Sequence, residues 1–329
     1  MKKILNHLFE NKTFSSAEAQ KILTSIAMGE FNHAQIAAFI TAYCMRNITV
    51  EELQGFRDAM LDLCLKVDFS DFELVDLCGT GGDGKDTFNI STLASFVVAG
   101  AGHKVAKHGN YGVSSGCGSS NVMEYLGYHF TNDESELKRS LEKAGICFIH
   151  APLFNPAMKT VAPIRRELGV KTFFNMLGPM CNPAKPKNQI VGVFSLELAR
   201  IYAYLYQQTD KNYTIIHAVD GFDEVSLTCD FKTFSKKGEA LTKIADLGFE
   251  ELQETQIQGG DTIESSAKIF TEVLNGEATE AQTNVVLCNA ALAIQTIKQN
   301  VSFADCYYEA EESLLSKRAL GSFKNLITG

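Results

Sequence analysis

The chain contains no run of about 20 apolar residues, so no segment is built to span a membrane as a helix. It has no CxxC pair either. The nine cysteines, from Cys44 to Cys306, stand far apart and odd in number, which argues against a zinc site or disulfide framework and for a reducing compartment. Positive charge is scarce: 30 Lys and Arg face 39 Asp and Glu, so no general nucleic-acid surface is expected. The opening MKKILNHLFENK meets Asn6 and His7 before any long apolar stretch and makes a poor secretory signal. Internal repeats and low-complexity tracts are missing as well. These exclusions lead us to expect a cytoplasmic globular protein, and 329 residues suffice for one large domain or two.

What is present follows two rhythms. Over the first 66 residues polar caps recur with Glu or Gln three positions later: Ser15 with Glu18, Asn32 with Gln35, Thr49 with Glu52. Apolar residues behind them keep helical spacing, as at Ile36, Ile40 and Tyr43, so this helical piece needs something to pack on. From Phe72, short apolar runs alternate with helical stretches. ELVDLC, HKVAKHG, ICFIH, QIVGVFS and YTIIHAVD read as strands, and the helix in TNDESELKRSLEKAG is expected to open with the Thr131–Glu134 capping pair. That alternation predicts a mostly parallel sheet covered by helices. All six prolines fall between Pro152 and Pro186, where the chain is expected to leave the sheet and cross to the N-terminal helices. Beyond Asp261 long helices are expected.

DLCGTGGDGKDTFNIST, Asp76 to Thr92, is the least generic stretch. Gly79 to Gly84 fits G-x-G-x-x-G, but a dinucleotide fingerprint needs the helix to open inside the motif and an acid about 20 positions on. The segment there, HKVAKH, is basic. Gly79 to Lys85 also fits G-x-x-x-x-G-K, yet Asp86 stands where a P-loop needs Ser or Thr for magnesium. A plain glycine turn is the bland alternative. Against it, NIST sets Ser91 and Thr92 at a helix start, where backbone N–H groups and hydroxyls make an anion site.

A second glycine-rich loop, KHGNYGVSSGCGSSN, follows the next strand and emerges from the same sheet edge. It offers Lys107, His108, Asn110, Ser114, Ser115 and Ser119; the lysine can neutralise phosphate charge while hydroxyls and N–H groups fix oxygens. In HAVDGFDEVS, Asp220, Asp223 and Glu224 follow another strand. An acid pair is common on surfaces, but beside two phosphate loops magnesium would tie it to a pyrophosphate, with Ser91 as a further oxygen ligand. Asp83 then faces a cation, a water or a sugar hydroxyl rather than bare phosphate.

GTGGD (79–83), NIST (89–92), KHGN (107–110), VSS with Gly118 and Ser119, PIRRELG (163–169), FFNMLGPMCNPA (173–184) and DGFDEVS (220–226) occur in that order. With them the chain resembles the anthranilate phosphoribosyltransferase family, and its helical ends are similar too. The resemblance implies transfer of the phosphoribosyl group of phosphoribosyl pyrophosphate (PRPP) to the amine of anthranilate, in tryptophan biosynthesis. It implies a PRPP site at Gly79, Gly82, Asp83, Thr87, Asn89, Ile90, Ser91, Thr92, Lys107, His108, Gly109, Asn110, Ser114, Ser115 and Ser119. Anthranilate contacts would be Gly79, Asn110 and Arg165; Mg2+ ligands would be Ser91, Asp223 and Glu224.

The implied fold is a small all-helical domain plus a large α/β domain with a mostly parallel central sheet, as in nucleoside phosphorylases and phosphoribosyltransferases. We expect the helical domain at 1–70, with 155–180 packing on it, and the α/β domain at 71–329. A homodimer is implied through the small domain, with no nucleic-acid or membrane partner. Many members carry arginine where this chain has Tyr111, and SSKSGSAD where it has SSGCGSSN, which changes Gly116, Cys117 and Asn121. Two rival readings stay open: a pyrimidine nucleoside phosphorylase, and a non-catalytic nucleotide- or nucleic-acid-binding relative.

Overall fold

The computed structural model describes residues 1–112 and 117–329. The chain divides into two compact units, Met1–Val67 with Ala151–Lys185 and Asp68–His150 with Pro186–Gly329.

The smaller unit is built on helices Lys2–Phe9, Ser16–Ala27, His33–Cys44 and Val50–Leu63. All three expected capping boxes form, each cap oxygen accepting the N–H three residues on. Glu52 has a second role. Fully buried, it also accepts the Phe14 N–H at 3.1 Å and the Tyr43 hydroxyl at 3.0 Å, and pairs with Arg46. Gly55 lies so near the Ser16 carbonyl and Ala19 that a methyl there would overlap them, which is how two helices approach this closely. Phe39, Tyr43, Phe56 and Phe173 stack edge-on and face-on as the core. The proline-containing helix Met158–Leu168 joins this unit, with Thr160 donating to the Ala27 carbonyl at 3.1 Å.

The larger unit carries seven strands: β1 (Leu74–Gly79), β2 (Lys104–Gly109), β3 (Ile146–His150), β4 (Asn188–Gly192), β5 (Asn212–Ala218), β6 (Phe231–Ser235) and β7 (Gly238–Thr242). Their order is β3-β2-β1-β4-β5-β6-β7. The first five are parallel and deeply buried, as near-continuous apolar runs demand of strands covered on both faces. Helices Ile90–Gly100 and Glu280–Ile297 lie in the core, with Phe96, Phe270 and Phe323 in edge contact.

Two details differ from the sequence reading. The helix expected from Thr131 begins at Glu134, because Asp133 caps it by accepting the Glu136 N–H at 3.0 Å, while Thr131 Oγ1 only accepts the Asp133 N–H. The antiparallel β6–β7 hairpin was not foreseen; FKTFSKKGEALT alternates too briefly to announce it.

Candidate active site

β1 is where the sheet order turns: β2 and β3 lie on one side, β4 and β5 on the other. In open parallel sheets ligands bind beyond the carboxyl ends at such a point. There β1 and β4 end in register, Gly79 opposite Gly192. A methyl on Gly79 would overlap the Asp223 carboxylate, and one on Gly192 the Asp223 carbonyl. The two glycines form a slot, and Asp223 fills it.

Asp223 Oδ2 accepts the Gly81 N–H at 2.6 Å. That N–H points inward because Gly81, Gly82 and Gly84 all adopt positive φ, open at little cost to glycine. Glu224 Oε1 accepts the Ser91 N–H at 2.9 Å in the first turn of helix Ile90–Gly100. The helix-start N–H expected to await an anion is thus taken by a carboxylate. Asn289, from helix Glu280–Ile297, holds the next residue on both sides: it accepts the Val225 N–H at 3.1 Å and donates to the Val225 carbonyl at 2.9 Å.

Lys107 on β2 is only 2% exposed. Its Nζ donates to the Leu77 carbonyl at 2.7 Å and to Ser91 Oγ at 3.4 Å. Burial lowers its proton affinity, and the negative charges of Asp76 and Glu224 oppose that. Asp76, fully buried on β1, accepts the His108 N–H at 3.0 Å and the Gln189 amide at 3.3 Å. It ties three neighbouring strands together just below the rim.

The second loop closes on itself. Ser119 Oγ and the Ser120 N–H both donate to the Asn110 carbonyl, at 3.3 and 3.1 Å. A methyl on Gly109 would come within 2.7 Å of Ser119 Oγ and turn that hydroxyl away from the Asn110 carbonyl. Asn121 Oδ1 accepts the N–H groups of Gly112 and Gly118 at 2.9 and 3.0 Å, so the neutral amide at this altered position keeps an acceptor. Asn89 donates to the Cys117 carbonyl at 3.0 Å, linking this loop to NIST. Tyr111 sets its ring edge-on to His150, centroids 5.0 Å apart. Ser114 and Ser115, with Gly116, lie outside the described residues.

Of the other expected residues, Gly82 is buried in the glycine turn, and Ile90 and Thr92 are buried at the helix start. Asp83 accepts the Lys85 N–H at 3.1 Å, and Thr87 forms a backbone bridge to Gln258. Arg165 belongs to the smaller unit, where its guanidinium lies 5.2 Å from the Phe174 ring centroid and donates to Asn175 Oδ1 at 3.4 Å. Burial lowers its pKa from the usual arginine value. Sequence reading missed Asp76, Gly192 and Asn289. A polar residue inside an apolar strand or helix was the available signal for the first and last.

Ionising both acids at this rim is costly. Burial, then the nearby Asp83 and Glu224, push the Asp223 carboxyl well above its usual range. Burial raises Glu224 to about 7, with Asp83 adding and the Ser91 N–H opposing. Two buried polar atoms at the same rim, Thr80 Oγ1 and Asn89 Oδ1, have no protein partner among the described residues. Among those residues no group of three His, Cys, Asp or Glu side chains is set to hold a metal. Magnesium is ordinarily held by one or two carboxylates with water and substrate phosphates, and this hard-oxygen pair fits that pattern.

A pH dependence follows. Between 4.5 and about 7 folded Glu224 keeps a proton that the unfolded chain has released, so its contribution to stability falls as pH rises across that window. Mg2+ binds the ionised pair, so its stabilisation should grow over the same window. Thermal unfolding should show a larger Tm gain with Mg2+ at pH 8 than at pH 5.5; equal gains would count against a cation at this pair.

Comparison with known proteins agrees with this geometry. Residues 71–320 match the model of the α/β domain of the glycosyl transferase family, and residues 2–64 match its helical bundle domain. The anthranilate phosphoribosyltransferase of Christiangramia forsetii is 60% identical over 326 residues, covering 99% of this chain and 98% of the relative. The crystal structure of the Thermus thermophilus anthranilate phosphoribosyltransferase superposes with a TM-score of 0.91 at 29% identity, covering 99% of this chain and 98% of that one. The Saccharomyces cerevisiae enzyme in complex with PRPP and Mg also gives 0.91, at 26% identity, covering 99% and 96%. Fold and site therefore define a glycosyl transferase with a helical bundle and an α/β domain. Within that class, the chain belongs to the anthranilate phosphoribosyltransferase family.

Proposed function

We propose that the protein transfers the phosphoribosyl group of PRPP to the amine of anthranilate, giving N-phosphoribosylanthranilate and pyrophosphate in tryptophan biosynthesis. The observation that carries this reading is the partly buried acid pair, Asp223 in the Gly79–Gly192 slot and Glu224 on the Ser91 N–H, beside Lys107 and two glycine-rich loops. Breaking the anomeric C–O bond builds positive charge on the ribose and negative charge on the departing diphosphate. Lys107, held in place on Ser91 and the Leu77 carbonyl, supplies fixed positive charge where that negative charge grows. Asp223, Glu224 and Ser91 would hold Mg2+, which when bound supplies Lewis-acid neutralisation of the leaving group.

The aromatic amine of anthranilate is neutral near pH 7, so no base is needed before attack. The proton its nitrogen sheds once the C–N bond forms passes to the departing diphosphate or to water. His108 therefore serves in positioning, held by its backbone N–H on Asp76. Asn110, the Gly79 main chain and Arg165 are our assignment for anthranilate, the arginine holding its carboxylate at two points. Nine free cysteines support a reducing cytoplasm. We assign a homodimer to the smaller unit, whose exposed apolar side chains include Phe9, Met28, Met45 and Val170.

Loss of anthranilate fluorescence only when PRPP and Mg2+ are both present is the expected result. Phosphorolysis of a pyrimidine nucleoside in its place would replace the proposal. Arg165→Ala should raise the KM for anthranilate about 10- to 100-fold, as a lost charged two-point hydrogen bond implies. An unchanged anthranilate KM would remove the residue from the site.

A further inference from the structure

Lys85 closes the G-x-x-x-x-G-K pattern whose P-loop meaning fails at Asp86. Its Nζ sits 4.5 Å from the ring centroid of Phe222, a buried side chain directly preceding Asp223, and 3.1 Å from Glu254 Oε2. Gly81 and Gly84 are at positive φ with open space where a side chain would be. Upstream the loop is tied by the Thr80 N–H to the Gly192 carbonyl at 3.0 Å and by Gly81 to Asp223. Downstream it is tied to a passing segment: the Gly259 N–H donates to the Asp86 carbonyl at 2.6 Å, and Phe88 to the Ile257 carbonyl at 3.4 Å. Between those ends, Lys85 reaches across to the turn that carries the acids.

We propose that Lys85 is a positioning residue: its ammonium latches the glycine loop to Phe222 and Glu254 and so fixes the loop against the turn that carries Asp223. The inference rests on PRPP being the ligand held at that loop. A cation beside one ring and an ion pair at the edge are each modest. Holding a diphosphate between two walls magnifies them, because small misplacements are costly. The partner carboxylate separates this role from direct phosphate contact. A lysine that left Glu254 to bind the diphosphate would bind it better once Glu254 lost its charge.

The test compares Lys85→Met, Lys85→Arg and Glu254→Gln in the full chain. Lys85→Met should raise the KM for PRPP about ten-fold with kcat changed less than about two-fold, the combined loss expected of a cation–π contact and an edge ion pair. Lys85→Arg should restore it, and Glu254→Gln should raise it about three-fold. Hydrogen exchange across residues 79–88 of the unliganded protein should quicken in Lys85→Met, with Tm unmoved. An unchanged KM and exchange in Lys85→Met, or a lowered KM in Glu254→Gln, overturns the latch. A wild type inactive with PRPP would sink the functional proposal by itself, and the exchange rates would still judge the latch.

Discussion

Replacing Asp223 with Asn and Glu224 with Gln together is expected to reduce kcat/KM about 1,000-fold or more, roughly 4 kcal/mol of transition-state stabilisation, while leaving the fold intact. The loss is large because the pair is where a divalent ion would meet the departing diphosphate, and an amide oxygen is a far poorer ligand than a carboxylate. The fold survives because each amide keeps an oxygen for its N–H partner, Gly81 or Ser91. Stability without metal should even rise at pH 8, since the substitution removes charges that burial and mutual repulsion disfavour. Steady-state kinetics across Mg2+ concentrations, with thermal unfolding as the control, check both halves. Retained magnesium-dependent turnover would show that the ion is held elsewhere.

Gly192→Ala should be the most damaging single methyl group in the larger unit. It would overlap the backbone carbonyl of Asp223, and a backbone in a clamped turn cannot rotate away as a side chain can. We expect about 3 kcal/mol of destabilisation, the upper range for overpacking, and a fall in activity of about 100-fold as the acid pair is displaced. Gly79→Ala should separate the two effects: its methyl meets the Asp223 carboxylate, which can swing aside, so activity falls further than stability. Gly321→Ala is the control. Space is open there within helix Arg318–Thr328, so alanine should be neutral or stabilising by about 0.5–1 kcal/mol. Denaturant midpoints and kcat/KM measured for all three decide the matter, and a wild-type Gly192→Ala protein would mean the slot is not tight.

The acid in the first glycine loop illustrates how far sequence reasoning reached. Asp83 among four glycines posed an electrostatic puzzle, and a cation, a water or a sugar hydroxyl was the inferred partner. In the structure its charge acts on Asp223 and Glu224, so three acids share one rim and Asp83 helps raise the proton affinity of the other two. That crowding was not readable, because nothing in the spacing says which later strand delivers its loop beside the first.

What the amino-acid order settled unaided was whatever depends on near neighbours. The Ser15, Asn32 and Thr49 capping boxes close over three residues, and buried parallel strands show as apolar runs, so both were legible. Even there Asp133 outcompeted Thr131 for its helix start, since two caps two residues apart offer the same chemistry. Tertiary structure alone decided the slot at Gly79 and Gly192, the Asn289 clamp and the Asp76 tie. Gly81 and Asp223 meet across 142 residues, and Val225 and Asn289 across 64. Such contacts follow from the order in which strands pair in space, an outcome of packing the whole core that no local stretch encodes.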